Sequence, residues 1–192
     1  VARRIFKVLR AAHNINAAVS VSKSNRLKKQ NSYIIKIDEK LTRQFLEETR
    51  MIEDNDLNIM NFNYKVPEDF IDSDLCKRAY IKGSFMGSGS ISNPKKSYHA
   101  EFVSNKEAQS KTIQDILKTY GIIGKNIYRK NNYVTYIKES EQISDLLALM
   151  GANNAVLDFE NIRAVKETRN QINRVINCET ANLDKIVDTS MR

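Results

Sequence analysis

Apolar residues along the first half of the chain change from helical spacing to alternation and back to helical spacing. Ile5, Val8, Leu9 and Ala12 fall on one side of a predicted helix, and the arginines fall on the other side. Two Val- and Ile-rich runs follow and flank a long basic stretch, which is typical of a β-hairpin. Asp38 then opens a second helix. The predicted elements are a helix over 2–13, strands within 16–23 and 31–38, and a helix over 39–52.

The second half follows an acidic, Asn-rich connector over 53–74 and contains more elements. The pattern predicts a helix over 75–86, a short strand at Ile91, a turn at 93–96, a strand within 97–104, a helix over 105–120, a hairpin turning at Asn131 and Asn132, and a helix over 141–150 closed by Gly151. Residues 153–190 are predicted to form two or three helices broken near Asn177–Asn182. The expected fold class is α+β.

The order of helix, hairpin and helix occurs twice, which indicates an internal repeat. Val8 and Leu9 correspond to Ile116 and Leu117, Val19 to Ile127, Tyr33 and Ile34 to Tyr133 and Val134, and Ile37 to Ile137. The second repeat has a leading helix and hairpin, residues 75–104, that the first lacks, so we expect the chain to start inside the first repeat. A chance similarity between two amphipathic segments is the alternative.

Composition agrees with a folded chain. Of 192 residues, 41% are hydrophobic and 28% charged, with only 6 Gly and 2 Pro, which excludes collagen, low-complexity sequence and wholesale disorder. No apolar run reaches the length of a membrane helix. Cys76 and Cys178 are too few for a disulfide framework, and we expect both to be reduced and buried as small hydrophobic residues.

Charge is distributed unevenly along the chain. Residues 1–37 carry a net charge of +9 with no acidic residue, residues 38–75 carry −7, and the remainder carries +6. A surface of one sign attracts polyanions, so nucleic acid is the leading class of partner. The alternative is a cationic surface that serves solubility.

Several segments carry a resemblance to a known family. Residues 79–91 read AYIKGSFMGSGSI, which resembles the helix of the LAGLIDADG homing endonucleases. This segment, taken with NPKKSYH at 93–99, GANNA at 151–155 and NCETANL at 177–183, is similar to the WhiA family of bacterial regulators.

The resemblance implies a degenerate LAGLIDADG-like domain with pseudo-two-fold repeats, in which helices pack on antiparallel sheets, followed by a helix-turn-helix. Residues 1–74 would be a partial first repeat with its connector, residues 75–151 the second repeat, and residues 152–192 a helical extension toward a helix-turn-helix that this chain lacks. The implied function is a DNA-binding transcriptional regulator that acts in sporulation or in cell division and chromosome segregation. Its expected location is the cytoplasm, at the nucleoid, with double-stranded DNA and a cell-division or regulatory protein as partners.

Small residues on the signature helix point to helix pairing. Gly83, Ser84 and Gly87 share one face, which permits close approach of a second helix, although a Gly-rich helix end is the alternative. A homodimer through residues 79–88 would cover this face if the first signature helix is missing. In cleaving members of the superfamily an acidic residue at the helix base holds a metal, and the matching position is Ser88. Because a hydroxyl lacks that negative charge, we expect no nuclease activity, no catalytic residue and no metal or cofactor.

Basic residues are expected to contact the DNA backbone at the hairpin tips of the resembled fold. They are Lys23, Arg26, Lys28 and Lys29 in the first repeat, and Lys95, Lys96, Arg129 and Lys130 in the second. Lysines in exposed turns are common, so these residues also have a purely solvent-exposed interpretation. Tyr33, Tyr128 and Tyr133 would stack on DNA or pack across strands.

Other chemistry has less support in the sequence. His13 and His99 form no zinc-ligand spacing with each other or with the cysteines. The GSGS run at 87–90 precedes a strand and lacks the following Lys of a phosphate-binding loop. A protein-interaction scaffold of the division machinery and an active LAGLIDADG endonuclease are the alternative functions.

Overall fold

The computed structural model describes residues 1–23, 31–52 and 62–191. The chain divides into two compact units, Val1–Ser73 (unit 1) and Asp74–Arg192 (unit 2).

Unit 1 contains the predicted order of helix, hairpin and helix. The oxygen of the Asp38 side chain accepts a hydrogen bond from the Lys40 backbone N–H at 3.1 Å, which caps the second helix as predicted. This helix ends at Glu48, one turn earlier than predicted. The elements are α1 (Ala2–His13), β1 (Ala18–Lys23), β2 (Asn31–Lys36) and α2 (Glu39–Glu48), followed by a short 3₁₀ turn at Glu68–Phe70.

The buried face of α1 is rotated from the predicted one. Leu9 is buried, as predicted, and packs with Phe6, whereas Ile5 and Val8 are 44% and 54% exposed. The prediction for Ile5 and Val8 was wrong because helical periodicity defines a broad apolar arc, and packing against β2 and α2 selects its centre.

Unit 2 contains a four-stranded antiparallel sheet in the order β3-β4-β6-β5. The central strand β6 therefore pairs with β5, its hairpin partner, and with β4, which comes much earlier in the chain. The elements are α3 (Asp74–Ser88), β3 (Gly89–Ile91), β4 (Ala100–Ser104), α4 (Glu107–Thr119), β5 (Lys125–Arg129), β6 (Asn132–Ile137), α5 (Ser140–Leu149) and α6 (Asn153–Ser190).

The core of unit 2 lies between this sheet and its helices. Alternate residues of β4 are buried, with Ala100 and Phe102 fully so, which confirms the alternation seen in the sequence. On β6 the side chain of Thr135 is also fully buried, and its hydroxyl lies 3.0 Å from the hydroxyl of Ser110 on α4. Helix α4 thus covers one face of the sheet.

The C-terminal segment is a single helix of 38 residues, α6. The breaks predicted near Asn177–Asn182 are wrong: no Gly or Pro occurs in 153–190, and Asn lowers helix propensity too little to end a helix. Cys178 is exposed on α6 and Cys76 is partly buried on α3, so the expected burial is wrong for Cys178. In the described part of the chain, no helix is both long and apolar enough to cross a membrane.

Each unit contains an antiparallel hairpin, β1–β2 in unit 1 and β5–β6 in unit 2, but one predicted equivalence between the two hairpins fails. Val19 on β1 pairs with Ile35 on β2. With Tyr33 and Ile34 of β2 aligned on Tyr133 and Val134 of β6, as predicted, the pair in unit 2 that corresponds to Val19 and Ile35 is Asn126 with Thr135. Ile127, the predicted equivalent of Val19, is one residue further along and lies on the opposite face of its sheet.

Candidate nucleic-acid interface

The side of the unit 2 sheet that faces away from Phe102 and Thr135 carries most of its charged side chains. Side chains alternate along each strand, so the pairing register determines which residues share this side. We call this side the outer face; it consists of Ser90, Glu101, Val103, Lys125, Ile127, Arg129, Asn132, Val134 and Tyr136.

Three cations lie on or beside the outer face. Lys125 and Arg129 occupy the two ends of β5, about 14 Å apart along the strand, and both are exposed. Lys138 directly follows β6, and its Nζ lies 5.4 Å from the centre of the Tyr136 ring. All three side chains therefore reach solvent from one side of the sheet.

Glu101 lies among these cations and holds a small polar network. His99 Nε2 donates to Glu101 Oε2 at 3.1 Å, Ser90 Oγ donates to Oε1 at 3.3 Å, and Arg129 Nη2 lies 4.0 Å from Oε2. The hydrogen bond from His99 lowers the pKa of the Glu101 carboxyl, and Ser90 and Arg129 lower it further. The His99 ring stacks on Tyr136, with ring centroids 5.9 Å apart. These contacts orient Arg129 and His99 on the outer face.

The β5–β6 hairpin turns at Lys130 and Asn131, one residue before the predicted position. Both residues have positive φ, 51° and 60°, which is the geometry of a tight two-residue hairpin turn. Lys130 is exposed at this tip, next to Arg129. The tip is therefore basic, as the sequence predicted.

Lys95 and Lys96 lie in the loop that connects β3 to β4. The Asn93 side chain accepts a hydrogen bond from the Lys95 N–H at 3.0 Å, and the Asn93 carbonyl accepts one from the Lys96 N–H at 2.9 Å. Helix α6 anchors the same loop, because Lys166 Nζ donates to the Pro94 carbonyl at 2.9 Å. Both lysines are exposed.

The structure places these two basic loops at opposite ends of the sheet. Ala100, next to the β3–β4 loop, pairs with Ile137, whereas Ser104 pairs with Tyr133, next to the hairpin tip. Between the loops, the outer face carries Lys125 and Arg129. In unit 1, Lys23 ends β1 opposite Asn31. Arg26, Lys28 and Lys29 lie outside the described residues.

The tyrosines of the hairpin do not share the outer face. Tyr128 and Tyr133 pair across β5 and β6 on the opposite side, and their ring centroids lie 4.9 Å apart. They form the cross-strand contact that was the alternative to stacking on DNA.

Ser88, the position matched to the metal-holding acid, ends α3 and lines a groove of about 380 Å³. Its hydroxyl donates to the carbonyl oxygen of Ser84 at 3.3 Å. None of the described side chains that line the groove is a carboxylate; they are Tyr80, Ser84, Gly87, Ser88, Val103, Ser104, Asn105, Gln109 and Ile113. Among the described residues, no cluster of three or more His, Cys, Asp or Glu could hold a metal ion.

Gly83 and Gly87 lie on the exposed side of α3. A Cβ atom added at either position would meet no atom of the described residues of unit 2 within 4 Å. Packing within unit 2 therefore does not require small residues here. The pairing of Gly83, Ser84 and Gly87 with a second helix, and the homodimer through residues 79–88, stay predictions.

Sequence reasoning missed the contribution of Lys125, Lys138 and Tyr136 to this surface. Lys125 and Lys138 lie at strand ends and not in the predicted turns, so the prediction did not include them. The alternation of β5 from Lys125 to Arg129 was the available signal, since residues four apart on a strand share a face.

Comparison with known proteins identifies the family. A family model described as the WhiA N-terminal LAGLIDADG-like domain matches residues 1–52, and one described as the WhiA LAGLIDADG-like domain matches residues 77–169. The chain belongs to the WhiA family. The resemblance noted in the sequence is thereby confirmed, together with the LAGLIDADG-like α+β fold.

Curated relatives carry the description probable cell division protein WhiA. The chain is 44% identical over 193 residues to the protein of Clostridium botulinum strain Hall and 45% identical over 192 residues to that of Clostridium acetobutylicum. Each match covers 100% of this chain and 61% of the relative, so the chain spans about three fifths of the length of these WhiA proteins.

Solved structures show the same fold. Full-length DUF199/WhiA from Thermotoga maritima matches with a TM-score of 0.60 and 17% identity, over 86% of this chain and 49% of that chain. The structure of I-DmoI in complex with DNA and Mn matches with a TM-score of 0.50 and 13% identity, over 77% of this chain and 71% of that chain. At these identities the likeness concerns the fold alone.

Proposed function

We propose that this chain is a DNA-binding part of a WhiA-type transcriptional regulator, and that the outer face of unit 2 contacts duplex DNA without cleaving it. The observation that carries the proposal is the convergence of exposed Lys125, Arg129 and Lys138 on one side of an antiparallel sheet.

Electrostatics favours a polyanion on this face. The chain has a net charge of +8, and the basic loops with Lys95, Lys96 and Lys130 extend the positive surface at both ends of the sheet. Lys and Arg contacts to phosphates supply affinity and register with little sequence information. We therefore expect salt-sensitive binding with weak sequence preference from this surface.

The fold supports the same geometry. I-DmoI, whose fold this chain shares, was crystallised in complex with DNA and Mn. A sheet face with exposed cations at both strand ends is a suitable surface for the backbone of a duplex. We expect sequence preference to depend on the helix-turn-helix that the family resemblance implies.

The groove at Ser88 supports a role without cleavage. Mg²⁺ and Mn²⁺ bind through carboxylate oxygens, and the described lining of this groove supplies only hydroxyl, amide and backbone groups besides apolar side chains.

The relatives are described as probable cell division proteins, which agrees with regulation of division genes. We extend the proposed role to sporulation and chromosome segregation.

The test is a titration of a fluorescent random-sequence duplex at two salt concentrations. We expect the double variant Lys125→Glu with Arg129→Glu to weaken binding at least about tenfold and to reduce the salt slope by about two, because two phosphate contacts are lost. The matched control is Lys111→Glu with Lys118→Glu on α4, which covers the other side of the sheet.

Equal losses in both double variants would show a general effect of net charge and would contradict the assignment of the outer face. Absence of DNA binding by the unaltered chain would favour the protein scaffold instead. Supercoiled plasmid incubated with Mg²⁺ or Mn²⁺ should stay intact; nicking by the unaltered chain would establish the endonuclease alternative.

A further inference from the structure

The β3–β4 loop, residues 92–99, presents Lys95 and Lys96 on a tight turn. The turn is held from within, because the N–H groups of both lysines donate to Asn93, at 3.0 Å to its side chain and at 2.9 Å to its carbonyl. These hydrogen bonds define the shape of the turn. They do not fix its direction relative to the sheet, which must come from a contact outside the loop.

Helix α6 supplies that contact through one side chain. Lys166 Nζ donates to the Pro94 carbonyl at 2.9 Å and lies 4.5 Å from the centre of the Tyr98 ring. Pro94 directly precedes the two lysines of the turn, and Tyr98 follows them. A single ammonium group therefore holds the turn from both sides.

The part of α6 that makes this contact is anchored in the core of unit 2. Phe159 is 3% exposed, and its ring centre lies 5.6 Å from that of Tyr98. Phe159 and Lys166 are seven positions apart, so they share one face of α6. Tyr98 thus packs against a fixed surface of the helix, with the Lys166 ammonium over its ring.

The charges next to Lys166 are satisfied by another residue. Arg163 lies on the same face and pairs with the carboxylates of Glu160 and Glu167, at 3.2 Å and 3.3 Å. Because Arg163 holds both neighbouring carboxylates, the Lys166 ammonium is directed at the loop carbonyl and the aromatic ring.

We propose that Lys166 is a positioning residue for DNA binding: it fixes the β3–β4 loop so that Lys95 and Lys96 meet the duplex backbone as a preordered pair. This inference rests on the proposed function and adds a residue outside the outer face and outside both basic loops. A loop that is already ordered loses less conformational entropy on binding, so the same two phosphate contacts give a higher affinity. The contribution of Lys166 to binding acts through these two lysines.

The first measurement follows the order of the loop without DNA. Lys166→Met keeps a long apolar side chain and removes the ammonium, and Lys111→Met on exposed α4 removes the same charge as the matched control. By NMR, we expect Lys166→Met to raise the hydrogen-exchange rate of the Lys96 amide at least about fivefold, because a hydrogen bond from a charged donor is lost. Amides of β4 and β6 should keep their rates, and the control should change none of them.

The second measurement is a titration of a fluorescent random-sequence duplex. We expect Lys166→Met to weaken binding by about three- to tenfold when Lys95 and Lys96 are present. With Lys95→Ala and Lys96→Ala already introduced, Lys166→Met should weaken binding no more than Lys111→Met does. The loop then has no phosphate contacts left to position.

An unchanged exchange rate at Lys96 in Lys166→Met would overturn the proposal, since the loop would be ordered without the contact. An equal loss of affinity with and without the two loop lysines would overturn it as well, because Lys166 would then act by its own charge. Faster exchange throughout β4 and β6 would assign Lys166 a general role in stability instead. Failure of the unaltered chain to bind DNA would overturn the proposed function and this inference with it. Each of the other outcomes is observable in a chain that binds DNA, so the two failures are distinguishable.

Discussion

Glu101 restricts the position of one cation of the outer face, Arg129. It accepts hydrogen bonds from His99 and Ser90 and lies 4.0 Å from Arg129. A carboxylate would repel phosphate on the surface proposed to bind DNA, but here it also restricts the position of a flexible guanidinium.

We expect Glu101→Gln to lower the free energy of unfolding at neutral pH and to lose this effect in acid. The pKa of Glu101 is lowered from its ordinary value of 4.5 in the folded chain. A carboxyl with a lowered folded pKa stabilises the fold above its unfolded pKa, and the contribution is lost as pH falls through the folded pKa. Urea unfolding from about pH 7 to about pH 3 measures this difference. A difference independent of pH would contradict the prediction.

At the scale of elements, α4 is joined to β6 by hydrogen bonds between Ser110 and Thr135 inside an apolar core. Ser110 and Thr135 are 1% and 0% exposed, and their hydroxyl oxygens lie 3.0 Å apart. The Thr135 hydroxyl also donates to the Ser110 carbonyl at 3.4 Å, so the Ser110 hydroxyl can donate to the Thr135 oxygen. Because water does not reach this pair, the Ser110 hydroxyl depends on Thr135 for its hydrogen bond. The contact also fixes which residue of β6 faces α4.

We expect Thr135→Val to destabilise the chain by about 1–3 kcal/mol, since it leaves the Ser110 hydroxyl buried without its partner. Ser110→Ala combined with Thr135→Val should cost less than the two single changes together, because neither partner is left unsatisfied. Urea unfolding of the unaltered chain, the two single variants and the double variant gives the interaction energy between the two side chains. Additive effects would show that the hydroxyls do not interact.

At the scale of the whole molecule, the two units have unequal cores. Among the described residues, unit 1 buries four apolar side chains and unit 2 buries fifteen. The sheet of unit 1 has two strands, and β2 has a single described strand neighbour, whereas β6 lies between two strands. Short two-stranded sheets are marginally stable, so local stability should differ between the units.

We expect backbone amides of β1 and β2 to exchange with deuterium faster than those of β4 and β6. Exchange of a core strand requires large-scale opening, whereas a two-stranded hairpin opens locally. Mass spectrometry of peptides from both units measures this difference. Equal protection in β2 and β6 would show that unit 1 is stabilised by more than its own core.

Much of the fold was predictable because it depends on local periodicity. Helical spacing located α1 and α4, alternation located β4, and a polar cap located α2. The WhiA resemblance followed from short segments of sequence and was confirmed. The continuity of α6 was also available, since its sequence contains no Gly or Pro.

The sequence by itself thus determined the order of elements through α5 and the family, because periodicity and motif are properties of neighbouring residues. The tertiary structure alone decided that β6 lies between β4 and β5, which brings Glu101, Arg129 and Tyr136 together. It also decided that Ile127 is not equivalent to Val19, since a shift of one residue in register reverses every side chain. Pairing between strands distant in sequence leaves no local pattern, and the candidate interface depends on that pairing.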